Sequence, residues 1–318
     1  MAEELKVAEL RENMADVLRQ VSGGRRVLIR RYNGIAAALV PVSDYLTLDR
    51  LEKRRTQQGG EGIMRKIVLT NISGGEGKTT LARELAYQLA ALGHRVALMD
   101  TDPQASLTKS LGLHDVAGHP AFLADHTILD VFQVDEAPRL PSPLNVSGVD
   151  FWPSNDHLLK ADSEIASDLS KQGNLRDAVM QLEGYDFLII DTKPGVTPLL
   201  NAAVAAADHI VVPVSGDKGM ENLQKLSRLM KAAQGFSPHI KVSLFVPNRQ
   251  RNTVLARSVL KDLQDYQEFG AISRPIRDSV TVGEAYRMRK PLVEYAPKAD
   301  VTGDFKNVTE DLLRALEE

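Results

Sequence analysis

A glycine-rich stretch between an apolar run and a helical pattern carries residues that can bind phosphate. It reads Ile72-Ser73-Gly74-Gly75-Glu76-Gly77-Lys78-Thr79-Thr80 and follows the apolar residues 67–69. A strand, a turn and a helix start in this order point backbone N–H groups into the turn, and the helix N-terminus adds partial positive charge. Lys78 can then reach the β- and γ-phosphates, and Thr79 can offer its hydroxyl to Mg²⁺. The stretch therefore predicts a phosphate cradle with a magnesium ion.

Two later strand ends carry aspartates that are expected at the same edge of a sheet. Asp100 and Asp102 follow a buried strand over residues 94–99, and Asp191 follows the apolar residues 187–190. In an α/β sheet, ligands bind outside the carboxyl ends of the strands. A carboxylate of the first pair can orient an attacking water or hold the magnesium shell, and Asp191 has the Walker B form, aimed at Mg²⁺ through water. An acidic helix cap is the alternative interpretation of the first pair. Two aspartates at the end of a strand, shortly after a phosphate loop and its helix, make that alternative less favoured.

The elements that position these residues alternate between helices and strands. Further strands are predicted at residues 209–212 and 241–246, with helical segments at 220–233 and 254–263. This alternation predicts an α/β fold with a mostly parallel sheet wrapped by helices, over residues 64–318.

Residues 1–55 are predicted to be a separate small unit. Apolar residues share one helical face from residue 7 to 21, and Ser22-Gly23-Gly24 ends that helix. Apolar runs at 27–29 and 35–40 flank Asn33-Gly34, a strong hairpin signal, and a last helix runs through residues 45–51. So small a core is expected to gain stability by dimerising. Residues 56–63 have no apolar periodicity and are predicted to be a flexible linker.

Composition narrows the class of protein. The 318 residues are enough for about two domains, and 43% are hydrophobic, which supports a sizeable core. The absence of cysteine excludes a disulfide scaffold and a thiolate metal site. No apolar signal core or membrane-spanning run is present, so the cytosol is the expected compartment. The formal net charge is −3, but residues 1–55 carry eleven Lys and Arg against eight acids.

The N-terminal motifs resemble the Phd/YefM antitoxin fold, a small α+β domain. The resemblance covers residues 9–18, 25–31, 36–42 and 44–45. Members of that family dimerise and bind operator DNA through this domain, and a disordered tail neutralises the toxin; here another domain replaces the tail. The resemblance implies DNA contact through the basic run, with a solvated surface as the alternative. The candidate contacts are Arg25, Arg26, Arg30 and Arg31.

The rest of the chain resembles the ParA/MinD family of deviant Walker A ATPases. Matching motifs lie, in the family's order, at residues 73–80, 96–106, 151–155, 185–191, 203–214 and 279–296. The resemblance implies a P-loop NTPase that binds ATP and Mg²⁺, forms a homodimer around two ATP molecules and binds DNA without sequence preference. A ParB-like or adaptor protein on a cargo would stimulate hydrolysis, which releases the dimer. The location implied is cytoplasmic and nucleoid-associated, with no membrane partner.

The resemblance also implies roles for residues at matched positions. Lys78 would bind phosphate as a catalytic residue, Asp102 would hold the hydrolytic water, and Thr79 would bind Mg²⁺, with Asp100 and Asp191 in its outer shell. Asn248 and Pro275 would lie where the family holds adenine. The cofactor-binding candidates are Gly74, Gly75, Glu76, Gly77, Lys78, Thr79, Thr80, Asn248 and Pro275.

One position departs from the family pattern. The signature lysine, which reaches the nucleotide of the other subunit, is replaced by Ser73, whose short neutral side chain cannot cross an interface. Either hydrolysis is weak or another lysine supplies the charge, and Lys193 is the candidate catalytic substitute; an exposed loop lysine is the alternative. A serine at this position resembles the McdA branch, which positions carboxysomes.

A second basic concentration lies in the C-terminal half of the chain. Binding DNA without base readout requires several cations on one face, and scattered surface arginines are the alternative. The candidate contacts are Arg249, Arg251, Arg277, Arg287 and Arg289.

Three functions are compatible with these patterns. The first is a ParA-type ATPase for plasmid or chromosome partition, with the N-terminal domain as an operator-binding autorepressor. The second is a nucleotide-sensing transcription regulator of the antitoxin type. The third is a McdA-like positioning ATPase for a protein cargo.

Overall fold

The computed structural model describes residues 3–6, 13–31, 34–44, 64–113, 126–134, 137–223, 230, 235, 237–251 and 253–317. The chain folds as two compact units, Met1–Ile63 and Met64–Glu318.

The described part of the first unit contains a helix and a three-stranded sheet. Its elements are β1 (Glu3–Lys6), α1 (Met14–Ser22), β2 (Val27–Arg31) and β3 (Gly34–Leu39). β2 and β3 pair antiparallel, with Val27 opposite Leu39, which confirms the predicted hairpin. β1 pairs parallel with β2, and no apolar pattern predicted this strand.

Among the described residues of this unit, the buried core is small. Val17 and Val21 on one face of α1 and Val27 on β2 are buried together. The predicted end of the helix is confirmed, because α1 ends at Ser22 and Gly24 adopts a left-handed φ of +99°. Residues 7–12, Asn33, the predicted helix at 45–51 and the predicted linker at 56–63 lie outside the described residues.

The second unit alternates strands with helices. Its strands are β4 (Arg65–Leu69), β5 (Val96–Asp100), β6 (Leu144–Val146), β7 (Val149–Trp152), β8 (Phe187–Asp191), β9 (His209–Val214), β10 (Lys241–Pro247) and β11 (Ala271–Ile272). Its helices are α2 (Lys78–Ala91), α3 (Ser106–Ser110), α4 (Asp130–Gln133), α5 (Leu159–Ser167), α6 (Asn174–Val179), α7 (Pro198–Ala205), α8 (Asp217–Glu221), α9 (Val254–Leu263), α10 (Val280–Arg287), α11 (Leu292–Tyr295) and α12 (Asp300–Ala315).

These strands form one sheet in the order β11-β10-β9-β4-β8-β5-β7-β6. All neighbouring pairs are parallel except β6 with β7, which confirms the predicted mostly parallel sheet. The register places Asp100 at the end of β5 beside Asp191 at the end of β8. The two predicted acidic strand ends are therefore neighbours.

Helices cover both faces of the sheet, so the central strands are buried on both sides. Along β4, Ile67 and Leu69 belong to one hydrophobic cluster and Val68 to the other. The helix predicted at 254–263 is α9. The helix predicted at 220–233 corresponds in part to α8, and residues 224–229, 231–234 and 236 lie outside the described residues. Among the helices in the described part of the chain, none is long and apolar enough to cross a membrane.

His209 at the start of β9 makes stability depend on pH. Burial is the main cause that lowers the pKa of His209 from about 6.5 to about 4, and its Nδ1 lies 2.8 Å from the Ser243 hydroxyl. At a pH between these two pKa values, the ring is neutral in the folded chain and protonated in the unfolded chain, so unfolding takes up a proton.

We expect the free energy of unfolding to fall by on the order of 2 kcal/mol as pH drops from 6.5 to 4. Denaturant unfolding at several pH values measures this loss. His209→Gln should remove it, and the exposed His157→Gln should not.

Candidate nucleotide site

The phosphate loop has the backbone shape that its glycines predict. Gly75 and Gly77 both have a left-handed φ of +84°, which glycine adopts without strain, and α2 begins directly after Gly77. Asn248, at the end of β10, donates from Nδ2 to the Glu76 carbonyl at 2.9 Å. A β-carbon on Gly77 would overlap this Nδ2 atom. Asn248 therefore packs against Gly77 and holds the Glu76 carbonyl in place.

Lys78 is held inside the loop. Its Nζ donates to the carbonyls of Asn71 and Ser73, each at 2.9 Å, and the residue is buried. Burial lowers the pKa of Lys78, and the charges of Asp191 and then Glu76 oppose that shift. A lysine that bonds only neutral carbonyls can transfer its N–H donors to phosphate oxygens, which are stronger acceptors.

Asp191 fits the water shell of a magnesium ion. Both of its carboxylate oxygens are buried and have no hydrogen bond of acceptable geometry within the described residues. Burial is the main cause that raises the pKa of Asp191, Asp100 adds to the rise, and the Thr79 hydroxyl partly offsets it. Buried carboxylate oxygens without partners are uncommon in native proteins. Oxygen ligands and retained waters are what Mg²⁺ prefers, so Thr79 and Asp191 suit that ion.

Asp100 stabilises the segment that carries Asp102 through hydrogen bonds. Its carboxylate accepts the Asp102 N–H at 3.0 Å and the Thr108 N–H and hydroxyl at 2.9 and 2.7 Å. Burial raises the pKa of Asp100 to about 7. Asp102 accepts the Gln104 N–H at 2.9 Å. The proposed roles of Asp100 in the magnesium shell and of Asp102 at the attacking water stay predictions.

A cleft of about 700 Å³ opens over the loop. The predicted residues that line it are Gly74, Gly75, Gly77, Lys78, Thr79, Thr80, Asp102, Asn248, Arg249 and Arg277. Pro275 does not line it, but Ile276 and Phe305 do. The loop that leads into α10 forms another part of the wall, including Ser279 and Val280. Ser279 and Val280 lie inside the family motif at residues 279–296 but are not among the predicted cofactor-binding residues. Ile276 and Phe305 were also not predicted, because their apolar side chains indicate only core packing.

Lys193, Glu76 and Asp191 do not line the cleft. Lys193 forms an ion pair with Asp162 on α5, and Asp162 also accepts the Leu199 N–H at 2.9 Å. The Glu76 carboxylate accepts from Ser215. Asp191 lies below the cleft surface. The role of Lys193 at a second subunit stays a prediction.

The predicted DNA contacts of the second unit do not form one unpaired basic face. Arg249 and Arg251 both lie beside Asp278, at 3.8 and 2.6 Å, and Arg277 pairs with Asp304 at 2.7 Å and with Asp300. Arg287 is exposed and has no ion pair with a described residue, whereas the Arg289 side chain lies near Gly112.

In the first unit, Arg26 pairs with Asp44 at 2.5 Å, and Arg25 donates to Gln20 at 3.2 Å. The side chains of Arg30 and Arg31 lie outside the described residues. DNA contact by either group of arginines stays a prediction.

Comparisons with known proteins agree with this geometry. A family model described as an AAA domain matches residues 64–244. A probable plasmid-partitioning protein ParA of Thermus thermophilus is 30% identical over 277 residues, which cover 83% of this chain and 80% of that protein. The chromosome-partitioning ATPase Soj of the same organism is 30% identical over 260 residues, covering 80% and 98%.

A solved structure has the same fold. The structure of apo McdA from Cyanothece superimposes with a TM-score of 0.68 at 26% identity, covering 79% of this chain and all of that one. The phosphate loop, the paired acidic strand ends and these relatives point to one conclusion. The chain belongs to the ParA/MinD family of P-loop partition ATPases.

Proposed function

We propose that this chain is a deviant ParA-type ATPase whose ATP-bound homodimer binds DNA without sequence preference and moves or spaces a cargo along the nucleoid in the cytoplasm. The observation that carries the proposal is the pairing of a buried Lys78 in the loop with the unsatisfied Asp191 on the neighbouring strand. Without a bound cation, the Asp191 carboxylate oxygens stay buried with no hydrogen bond of acceptable geometry to a described residue, which is unfavourable.

Different residues at the cleft bind the phosphates, the metal and the attacking water. Backbone N–H groups of residues 74–79 receive the phosphates, and Lys78 moves from the Asn71 and Ser73 carbonyls to them. Thr79 and Asp191 would hold Mg²⁺, which would neutralise phosphate charge when bound. Asp102, fixed by the Gln104 N–H, orients the attacking water.

Ser73 removes the usual cross-subunit cation, so we propose that Lys193 contributes charge to the partner's nucleotide after leaving Asp162. Lys193→Ala is expected to lower ATP turnover by about tenfold or more, because a charged donor to the transition state is lost. Turnover and ATP-dependent dimerisation measure this. The control is Lys171→Ala, which breaks the comparable pair between Lys171 and Glu164. Unchanged turnover and dimerisation in Lys193→Ala would remove Lys193 from the mechanism.

We also propose that the first unit is a Phd/YefM-like, operator-binding domain in residues 1–55, joined by a linker at 56–63 to the ATPase domain in 64–318. The antiparallel pairing of β2 with β3 and the arginines on β2 support it. A ParB-like or adaptor protein is the proposed stimulator of hydrolysis.

One observation favours a second candidate, the nucleotide-sensing transcription regulator. Arg249, Arg251 and Arg277 are already paired with aspartates, which weakens the case for non-specific DNA binding through the second unit. In this alternative the first unit carries the DNA binding, and nucleotide modulates it.

A comparison of two DNA duplexes separates the candidates. The full-length chain is titrated with its own promoter fragment and with a random duplex of equal length, with and without ATP. The partition ATPase binds the random duplex only with ATP. The regulator binds the promoter at least a hundredfold more tightly and the random duplex weakly in every nucleotide state. The latter pattern would contradict the proposal.

A further inference from the structure

The phosphate loop contains a buried carboxylate of the same charge sign as its ligand. Glu76 stands between Gly75 and Gly77 and is 4% exposed. Its Oε2 accepts hydrogen bonds from the Ser215 N–H at 2.6 Å and from the Ser215 hydroxyl at 2.8 Å. Ser215 directly follows β9, and Glu76 does not line the nucleotide cleft. These two bonds therefore hold the carboxylate to the side of the loop.

A second bond joins the front of the loop to the same segment. Asn222 Nδ2 donates to the Ser73 hydroxyl at 2.7 Å. Ser215 and Asn222 lie on either side of α8, so both ends of residues 215–222, the α8 segment, contact the loop. A β-carbon on Gly219 would lie 2.7 Å from Glu76 Oε2, which shows how closely the two segments approach.

The charge of Glu76 makes its orientation matter. A buried carboxylate is costly unless hydrogen bonds stabilise it, and bonds to a charged acceptor are the stronger ones. Without Ser215, the carboxylate would be able to turn toward the bound phosphates, where two negative charges repel at short range and low dielectric. The Ser215 bonds thus shape the loop and also keep its negative charge away from the nucleotide.

We propose that Glu76 is a positioning residue, and that the α8 segment, through Ser215 and Asn222, holds the phosphate loop in the shape that accepts the triphosphate. This inference rests on the proposed nucleotide-binding function. It assigns to α8 a role in nucleotide affinity, because any displacement of α8 breaks bonds to both Ser73 and Glu76.

A mutant cycle in the full-length chain tests the inference. The probe is a fluorescent ATP analogue with Mg²⁺, and thermal melting checks folding. Glu76→Ala is expected to weaken binding by about tenfold or more, and Glu76→Gln, which keeps an acceptor for Ser215, by no more than about threefold. Ser215→Ala weakens binding in the native background but has no further effect in Glu76→Ala, since the two residues act as one unit. In steady-state hydrolysis, we expect Glu76→Ala and Ser215→Ala to raise the KM for ATP and to change kcat little.

The control is Glu221→Ala, an exposed acid within the same segment, which should bind as the native chain does. If Glu76→Ala binds normally, or if the effects of Glu76→Ala and Ser215→Ala simply add, the inference is wrong. Asn222→Ala and Ser215→Ala provide the same test from the α8 side if Glu76→Ala fails to fold. A native chain that binds no analogue would instead overturn the proposed function.

Discussion

Lys78→Ala is expected to abolish measurable ATP hydrolysis, lowering turnover by about 10³-fold or more. Lys78 is the cation that the loop itself presents to the β- and γ-phosphates, because Ser73 contributes none. Arg249 and Arg277 also line the cleft, but each is paired with an aspartate. Removing a preorganised donor from a transition state costs about 10²–10³ in rate, and the loss of a full charge adds to this. Steady-state phosphate release measures the effect.

The control for Lys78→Ala is Lys261→Ala, which removes an exposed lysine from α9. It should hydrolyse ATP as the native chain does. Thermal melting without nucleotide checks that Lys78→Ala is folded. If Lys78→Ala retains turnover, the site described here is not the ATPase site.

Gly77→Ala is expected to eliminate nucleotide binding, with a loss of about a hundredfold or more in affinity. Two causes act together at this position. A left-handed φ of +84° costs a non-glycine residue roughly 1–2 kcal/mol. The added β-carbon would also overlap Asn248 Nδ2, so the loop or the end of β10 must shift. Because both flank the phosphates, either shift misplaces the N–H donors.

A matched variant measures the cost of a left-handed φ outside the nucleotide site. Gly148 in the turn between β6 and β7 has φ +85°, and a β-carbon there would meet nothing within 4 Å. Gly148→Ala should therefore lose about 1 kcal/mol of stability and no nucleotide affinity. Calorimetric titration with ATP and thermal melting of both variants measure the difference. Equal nucleotide affinity in the two variants would show that neither the left-handed φ of Gly77 nor the approach of Asn248 affects nucleotide binding.

The chemistry of the site was predictable because it lies in short continuous motifs. The spacing of Gly77, Lys78 and Thr79 and the apolar runs before Asp100 and Asp191 predicted a loop and two neighbouring strand ends. The register confirms that the two aspartates lie side by side. Local sequence determines each of these features, since a strand, a turn and a helix start follow one another within a few residues.

Contacts between distant segments were not predictable. Phe305 reaches the cleft from α12, and nothing in its local pattern distinguishes it from a core residue. The arginines looked like an uncompensated basic group because their partners, such as Asp278 and Asp304, come from other loops and helices. The strand β1 reads Glu-Glu-Leu-Lys, which has no strand signal, and it forms by pairing with β2.

The nucleotide and salt dependence of DNA binding tests most directly whether this chain is a partition ATPase. The affinity of the full-length chain for a random-sequence duplex is measured with ATP, with ADP and without nucleotide, at increasing salt. We expect binding in the presence of ATP and none with ADP or without nucleotide. The affinity should fall steeply and linearly on logarithmic axes as salt rises, because phosphate contacts release counterions. Equal binding in all three nucleotide states, or no binding in any, would contradict this expectation.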